Sequence, residues 1–111
     1  MLCAMSEAHY FLCRLIAPRP TFPMDMNEEE RALMQVHVAY WSEHMRAGRV
    51  VIFGPVADPK GPWGLGIVRA AGLPEVQAFS AQDPVIAAER GFRYEILPML
   101  QAVLPADLER T

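Results

Sequence analysis

The sequence predicts an α+β domain with elements in the order β-α-β-β-α-β. Apolar, strand-like runs occupy residues 8–17, 49–53, 63–70 and 92–97. An amphipathic helical pattern follows the first run, and a second helical segment precedes the last. This order is the split βαβ arrangement of ferredoxin-like folds, a four-stranded antiparallel sheet with helices on one face.

Length and composition indicate one domain that associates with itself. A chain of 111 residues can bury a core without staples, and we expect one domain over 1–111, with a core at about 8–99. The tail, 100–111, is expected to dock as a short helix or to fray. Hydrophobic residues make up 52% of the chain, more than one small core readily hides, which predicts an oligomer.

Charge and cysteine usage exclude several classes of partner. The net charge is −3 and the ten basic residues are scattered, so we expect no nucleic-acid partner. Charged residues interrupt the only early apolar run, which argues against a signal peptide or a membrane span. Cys3 and Cys13 show no metal or redox spacing and are expected to be reduced packing residues of a cytoplasmic protein.

The first strand, 8–17, is apolar on both faces, which predicts that both faces are covered. Arg14 is its charged exception. It is either an arginine whose stem packs while its head reaches solvent, or a clamp for a substrate anion. The three prolines of 18–23 then predict a stiff loop, in which Arg19 belongs either to a plain connector or to one wall of a pocket.

The first helix is predicted from its cap and from its apolar face. Asn27 and Glu30 form a variant of the capping box, and Gly48 provides the stop after about residue 47. At about 100° per residue, His37 lies at the centre of the apolar face. Its neighbours within roughly 60° are Leu33, Tyr40, Trp41 and His44. His37 is therefore expected to face the protein body.

Turn signals separate the next elements. The second strand, 49–53, is expected to end at Gly54-Pro55. Asp58 begins an Asp-Pro-Lys-Gly sequence typical of a type I turn before the third strand, 63–70.

The second half closes the fold. A second helix is expected over 73–82, and Asp83-Pro84 begins a further helical turn to about residue 89, with Asp83 as its cap. The last strand, 92–97, is closed by Pro98. With both helices on one face, the other sheet face stays apolar and uncovered, and a second copy packing sheet to sheet would bury it.

Taken with their spacing, these motifs resemble the YCII-related family of the dimeric α/β-barrel superfamily. The matching features run over roughly 8–99: the helix histidine His37, Gly48, the segment from Gly54-Pro55 to Asp58, the glycine-containing strand 64–68, Asp83-Pro84 with Ala88, and residues 95–98.

The resemblance implies a homodimer with facing sheets, with higher oligomers open, and a cleft in which His37 works with an aspartate, either Asp58 or Asp83. This chain has Met34 where many members have an arginine three residues before the histidine, and Ala88-Glu89 where they have Ala-Gly. Both departures leave the substrate open. Most members have no assigned reaction, a few relatives are implicated in lyase or isomerase steps of aromatic breakdown, and other proteins of the superfamily are cofactor-independent monooxygenases.

The chemistry of His37 has a functional and a structural interpretation. A neutral imidazole accepts a proton near neutral pH, and a carboxylate on its other nitrogen would fix its tautomer. The alternative is a core histidine bonded to backbone. A metal held by Glu30, His37 and His44 alone is excluded, because seven residues of helix span about 10.5 Å. A metal shared by His37 and an aspartate stays open, but we expect none.

We therefore expect a cofactor-independent lyase or isomerase acting on a small organic acid or aromatic breakdown product. Tyr40 and Trp41 are either core residues or a surface that stacks on a planar substrate. The expected substrate-binding residues are Arg14, Arg19, Tyr40, Trp41, Gly54 and Pro55. The alternatives are a non-catalytic dimer that binds a metabolite and a purely structural dimer.

Overall fold

A computed structural model describes residues 3–5 and 8–106 of the chain. Its strands are β1 (Cys3–Met5), β2 (His9–Ile16), β3 (Val50–Val56), β4 (Trp63–Ala70), β5 (Arg93–Pro98) and β6 (Val103–Pro105). The helices are α1 (Glu28–Arg46), α2 (Leu73–Ala81) and α3 (Pro84–Ala87), with a 3₁₀ turn at Phe22–Met24. Within this described part, no helix is long and apolar enough to cross a bilayer.

The main sheet has four antiparallel strands in the order β3-β4-β2-β5. The first strand of the βαββαβ unit, β2, therefore lies inside the sheet, between the third and the fourth. Phe11 and Cys13 of β2 pack with Trp41 of α1 and Val76 of α2, and Leu15 packs with Val85 of α3. The helices thus cover one face, and the predicted α+β, ferredoxin-like arrangement with a four-stranded antiparallel sheet is confirmed.

Helix α1 begins and ends as its sequence predicts. Asn27 Oδ1 accepts from the Glu30 amide at 2.8 Å, and Glu30 Oε1 accepts from the Asn27 amide at 3.0 Å. Each side chain thus accepts a hydrogen bond from the backbone amide of the other residue, and the two bonds together form the complete capping box. Gly48 follows the helix at φ 83°, a left-handed conformation that glycine adopts without steric cost.

The predicted end of the second strand is wrong, because β3 continues through Gly54 and Pro55 to Val56. Pro55 lies opposite Gly64 of β4. The strand β3 is at the edge of the sheet, and edge strands are where a proline, which cannot donate a hydrogen bond to the ladder, is tolerated. The strand therefore ends at Val56, three residues later than expected.

Within the tail, a strand forms at Val103–Pro105, where a short helix or a frayed end was expected; residues 107–111 of that tail lie outside the described part of the chain. Residues Val103–Pro105 pair with Cys3–Met5 in a separate antiparallel ribbon. Ala102 and Leu104 are buried against Tyr10, on the sheet face that the helices do not cover. Every second residue of this segment is thus buried against the sheet, and the segment covers part of the face that was expected to be open. The side chain of Cys3 lies outside the described residues.

The rest of that face carries an apolar row across all four strands. Leu12 pairs with Ile67 on one side and with Leu97 on the other, and Ile67 pairs with Ile52. Ile52 and Leu97 at the ends of this row are each 55% exposed. We call Ile52, Ile67, Leu12 and Leu97 the cross-sheet row.

The opposite face depends on a close approach between α1 and the sheet. The indole of Trp41 lies over Gly66, and a Cβ built on Gly66 would be 2.3 Å from the indole ring. Carbon atoms do not approach so closely, so only glycine at position 66 allows the indole to lie where it does.

Gly66→Ala is expected to lower the free energy of unfolding by about 1–3 kcal/mol, because the ring or the strand must move. Gly54→Ala is the matched control: it lies in the neighbouring strand with nothing within 4 Å of its built Cβ. Denaturant unfolding of both variants checks the prediction, and equal stability of the two would contradict it.

Candidate functional site

His37 lies on the inner side of α1, with 8% of its surface exposed, and it faces Asp83. Its Nδ1 atom is 2.8 Å from Asp83 Oδ2 and 3.1 Å from Oδ1. Because an ionised carboxylate only accepts hydrogen bonds, Nδ1 is assigned as the donor. In the neutral ring this assignment makes Nε2 the acceptor.

Asp83 is fully buried and accepts from four donors. Besides His37, these are Tyr94 OH at 2.6 Å, Trp41 Nε1 at 2.8 Å and the Val85 amide at 3.0 Å. The Val85 bond is the predicted cap of α3, in which Pro84 occupies the first turn. One side chain therefore joins α1, the start of α3 and β5.

The carboxyl group of Asp83 stays ionised in this setting. Burial by itself would raise its pKa, but the hydrogen bond and charge of His37 lower it, as do the hydrogen bonds from Tyr94 and Val85. The net pKa lies below the ordinary value of aspartic acid. A buried, ionised carboxylate beside an imidazole is the arrangement that orients a histidine base in catalytic triads.

Sequence reasoning missed Tyr94 and the hydrogen bond of Trp41. Tyr94 OH also accepts from Trp41 Nε1 at 3.0 Å. Burial, followed by the charge of Asp83, raises the pKa of Tyr94, so its phenol stays protonated and donates. The alternation of β5 was the available signal, because it places Tyr94 on the same face as Leu15, opposite it in β2.

Asp58, the other candidate aspartate, contacts a different set of groups. Its carboxylate accepts from the Lys60 amide at 2.9 Å and from Trp63 Nε1 at 3.0 Å. The Gly61 amide donates to its carbonyl at 2.9 Å and closes the predicted turn. Those bonds to Lys60 and Trp63 lower the pKa of Asp58. Of the two aspartates, the structure brings only Asp83 to His37.

A cavity of about 290 Å³ adjoins the His37 side of this network. Trp41, Gly54 and Pro55 of the expected binding residues line it, and so does Met34. The remaining lining residues are mostly apolar: Cys13, Leu15, Ala17, Phe22, Pro23, Met26, Val38, Phe53, Pro62, Trp63, Gly64, Leu65, Gly66, Phe92 and Tyr94.

Three expected binding residues are not among those that line the cavity. Arg14 lies over the Trp63 ring at 4.6 Å, and its Nε is 3.9 Å from Glu95. Arg19 bonds to Asp25 and Glu30 and joins the proline loop to the start of α1.

The third, Tyr40, donates from its hydroxyl to the Phe79 carbonyl at 2.7 Å and stacks on the Phe79 ring. It packs α1 against α2.

Two other chemistries have little support at this site. Cys13 lines the cavity, but burial raises its pKa to about 12, so it is a protonated thiol rather than a nucleophile. Among the described residues, no group of three His, Cys, Asp or Glu side chains is arranged to hold a metal ion. The groups present fit proton transfer at His37.

A family model described as the YCII-related domain matches residues 10–100. This match covers β2 through β5 and therefore includes both His37 and Asp83. No curated protein matches the chain significantly.

Asp83→Asn is expected to lower stability at neutral pH by about 1–3 kcal/mol, because a buried acceptor is replaced in a network of donors. The folded pKa of Asp83 is lowered, so its stabilising effect is complete above the unfolded pKa of about 4 and is lost as the pH falls through the folded value. The stability gap between wild type and variant should therefore narrow in acid.

Urea unfolding of both proteins across the acid range measures this gap directly. The difference between the two curves removes the contributions of the other acidic groups. A gap that stays constant down to strongly acidic pH would contradict an ionised Asp83.

Proposed function

Because the chain belongs to the YCII-related family, we propose that His37 is the general base of a small enzyme, a lyase or isomerase that works without a cofactor. Its substrate class is a small organic acid or an aromatic breakdown product. The observation that carries the proposal is the 2.8 Å contact between His37 Nδ1 and the buried Asp83 carboxylate at the wall of a cavity.

The two ring nitrogens of His37 have different roles, and this difference supports a general base. Asp83 holds Nδ1, so Nε2 is the atom that would take a proton from a bound molecule. The imidazolium formed is stabilised by the neighbouring carboxylate, which itself stays ionised. Apolar walls around His37 limit the entry of water, which strengthens this electrostatic effect.

The proposed reaction begins with abstraction of a proton by His37, and the two reaction types differ in where His37 then delivers it. Nε2 takes a proton from an acidic C–H bond, and the electron pair of that bond moves into the conjugated substrate. In an isomerase, the imidazolium returns the proton to another carbon. In a lyase, the electron pair forms a double bond, a leaving group departs from the adjacent carbon with its bonding pair, and the imidazolium protonates that group or the solvent.

A non-catalytic, metabolite-binding dimer is the second candidate. The observation that favours it is the second role of Asp83, which caps α3 and links α1 to β5 through Trp41 and Tyr94. These structural hydrogen bonds alone would explain why an aspartate is buried here, even if the protein catalyses no reaction. In that case the cavity holds a ligand and His37 completes the hydrogen bonding of Asp83.

His37→Asn separates the two candidates. We would follow incorporation of deuterium from solvent, and product formation, in a panel of lactones, enols, phenols and muconates, some with and some without carboxylates. For any compound turned over, His37→Asn should lower the rate by about 10²–10⁴-fold, because the base is lost.

His44→Asn is the matched control, because His44 lies on the same helix but packs against the rings of Tyr40 and Phe79. It should keep the rate of the wild type, and circular dichroism checks that both variants fold. Turnover that survives His37→Asn would exclude His37 as the base.

We also propose that the protein is a homodimer in which the uncovered sheet faces pack together. The cross-sheet row supports this, because it offers apolar side chains from every strand of the sheet to a partner. Exposed apolar area of this kind is typical of interfaces rather than of monomer surfaces. A two-fold axis would bring the same row of both copies together.

Ile52→Glu is expected to shift the protein from twice the chain mass to the single chain mass, because a charge would be buried in the interface. Val36→Glu is the control: Val36 is 51% exposed on α1, close to the 55% of Ile52, but lies away from the cross-sheet row. Light scattering after size exclusion measures the mass. A monomeric wild type, or equal dissociation by both variants, would refute this interface.

A further inference from the structure

The cavity beside His37 has no charged wall. None of its lining residues in the described part of the chain is Lys, Arg, Asp or Glu. A positive charge on His37 would not attract an anion strongly, because the buried carboxylate of Asp83 lies beside it and offsets that charge. A bound anion would thus lose its hydration without gaining a counter-charge, and such burial is strongly unfavourable.

The polar groups of the wall are already engaged. Trp41 Nε1 and Tyr94 OH both donate to Asp83, and Trp63 Nε1 donates to Asp58. The thiol of Cys13 is protonated and only a weak donor. Among these described side chains, His37 is therefore the group with a ring nitrogen left for a ligand.

Two arginines lie over aromatic rings of the cavity wall. Arg14 lies over Trp63 at 4.6 Å, and Arg19 lies over Phe22 at 5.4 Å. Both rings line the cavity, whereas neither arginine does. Arg19 is further fixed by its bonds to Glu30 and then to Asp25, which raise its pKa. Arg14 Nε is buried without a hydrogen-bond partner among the described residues and lies 3.9 Å from Glu95, but Arg14 does not line the cavity. Neither cation therefore forms part of the wall beside His37.

Met34 adds an apolar surface close to the imidazole. It lies three residues before His37, so it is on the same side of α1, and it lines the cavity. Its flexible thioether side chain packs well against flat rings. A cavity of about 290 Å³ is at the lower limit of small-molecule sites, which suits one or two rings.

We infer that this cavity selects a neutral, ring-containing ligand that presents one acidic hydrogen or one hydrogen-bond donor to His37, and that it discriminates against carboxylates. The inference narrows the substrate class of the proposed function and rests on that site. Of the two classes named there, it favours uncharged aromatic or enolic compounds over organic acids.

The test compares 2-naphthol with 2-naphthoate near neutral pH. Both have the same ring system, but only the second is charged. Binding is measured by quenching of Trp41 and Trp63, which line the cavity and are the two tryptophans of the chain. Wild type should bind 2-naphthol at least about tenfold more tightly, because the carboxylate has no counter-charge in the wall.

Met34→Arg should reverse this preference, because it places a cation beside His37. Val36→Arg is the matched control, since it adds the same charge to the exposed side of the same helix. It should leave the preference of the wild type unchanged.

Equal or tighter binding of 2-naphthoate by the wild type overturns the inference, as does binding of neither compound. Unchanged 2-naphthol affinity in Met34→Arg also overturns it, because the compound would then be bound outside the cavity. Failure of the proposed reaction would be a separate result. If the His37→Asn variant kept its turnover, His37 would not be the base, but the preference of the cavity for uncharged ligands would be unaffected.

Discussion

The ionised carboxylate of Asp83 organises both the fold and the candidate site. A charge without contact with solvent is tolerated only where donors replace water, and Asp83 has such donors from α1, β5 and the first turn of α3. Each donor is therefore constrained in position by the same group. The orientation of His37 follows from this constraint, because its Nδ1 is one of the donors that the carboxylate needs.

The close packing beneath this network serves the same end. Trp41 donates to Asp83 while its indole lies against Gly66, a position that any side chain at residue 66 would occupy. Position 66, on a strand, thus affects a hydrogen bond made to the start of a helix. Fold and site are coupled here through one ring rather than through a long chain of contacts.

Local patterns predicted much of this molecule. The capping box at Asn27, the exposed turn at Asp58 and the cap at Asp83 are encoded within a few residues, so the sequence suffices. The inward position of His37 follows from helical periodicity. Two of the expectations that failed depend on tertiary position: the second strand continues because an edge strand tolerates Pro55, and the C-terminal strand forms where Tyr10 offers it a surface.

The composition of the site was harder to predict. Which aspartate meets His37 depends on how α3 packs beside α1, and nothing in the spacing of Asp58 or Asp83 decides it. Likewise, Arg14 and Arg19 carried suitable charges for an anion, but neither lines the cavity. Side-chain chemistry can be read from sequence, whereas the direction in which a cation points is a property of the packed structure.

The double use of Asp83 has an evolutionary consequence. Its Oδ1 holds the Val85 amide, and its Oδ2 holds the side chains of Trp41 and Tyr94. A lineage that replaced this aspartate to adjust the histidine would disturb the helix at the same step. Tyr94 is a less constrained position at which evolution can adjust the basicity of the histidine. A change to phenylalanine removes the hydroxyl that bonds to Asp83 and leaves the cap of α3 unaltered.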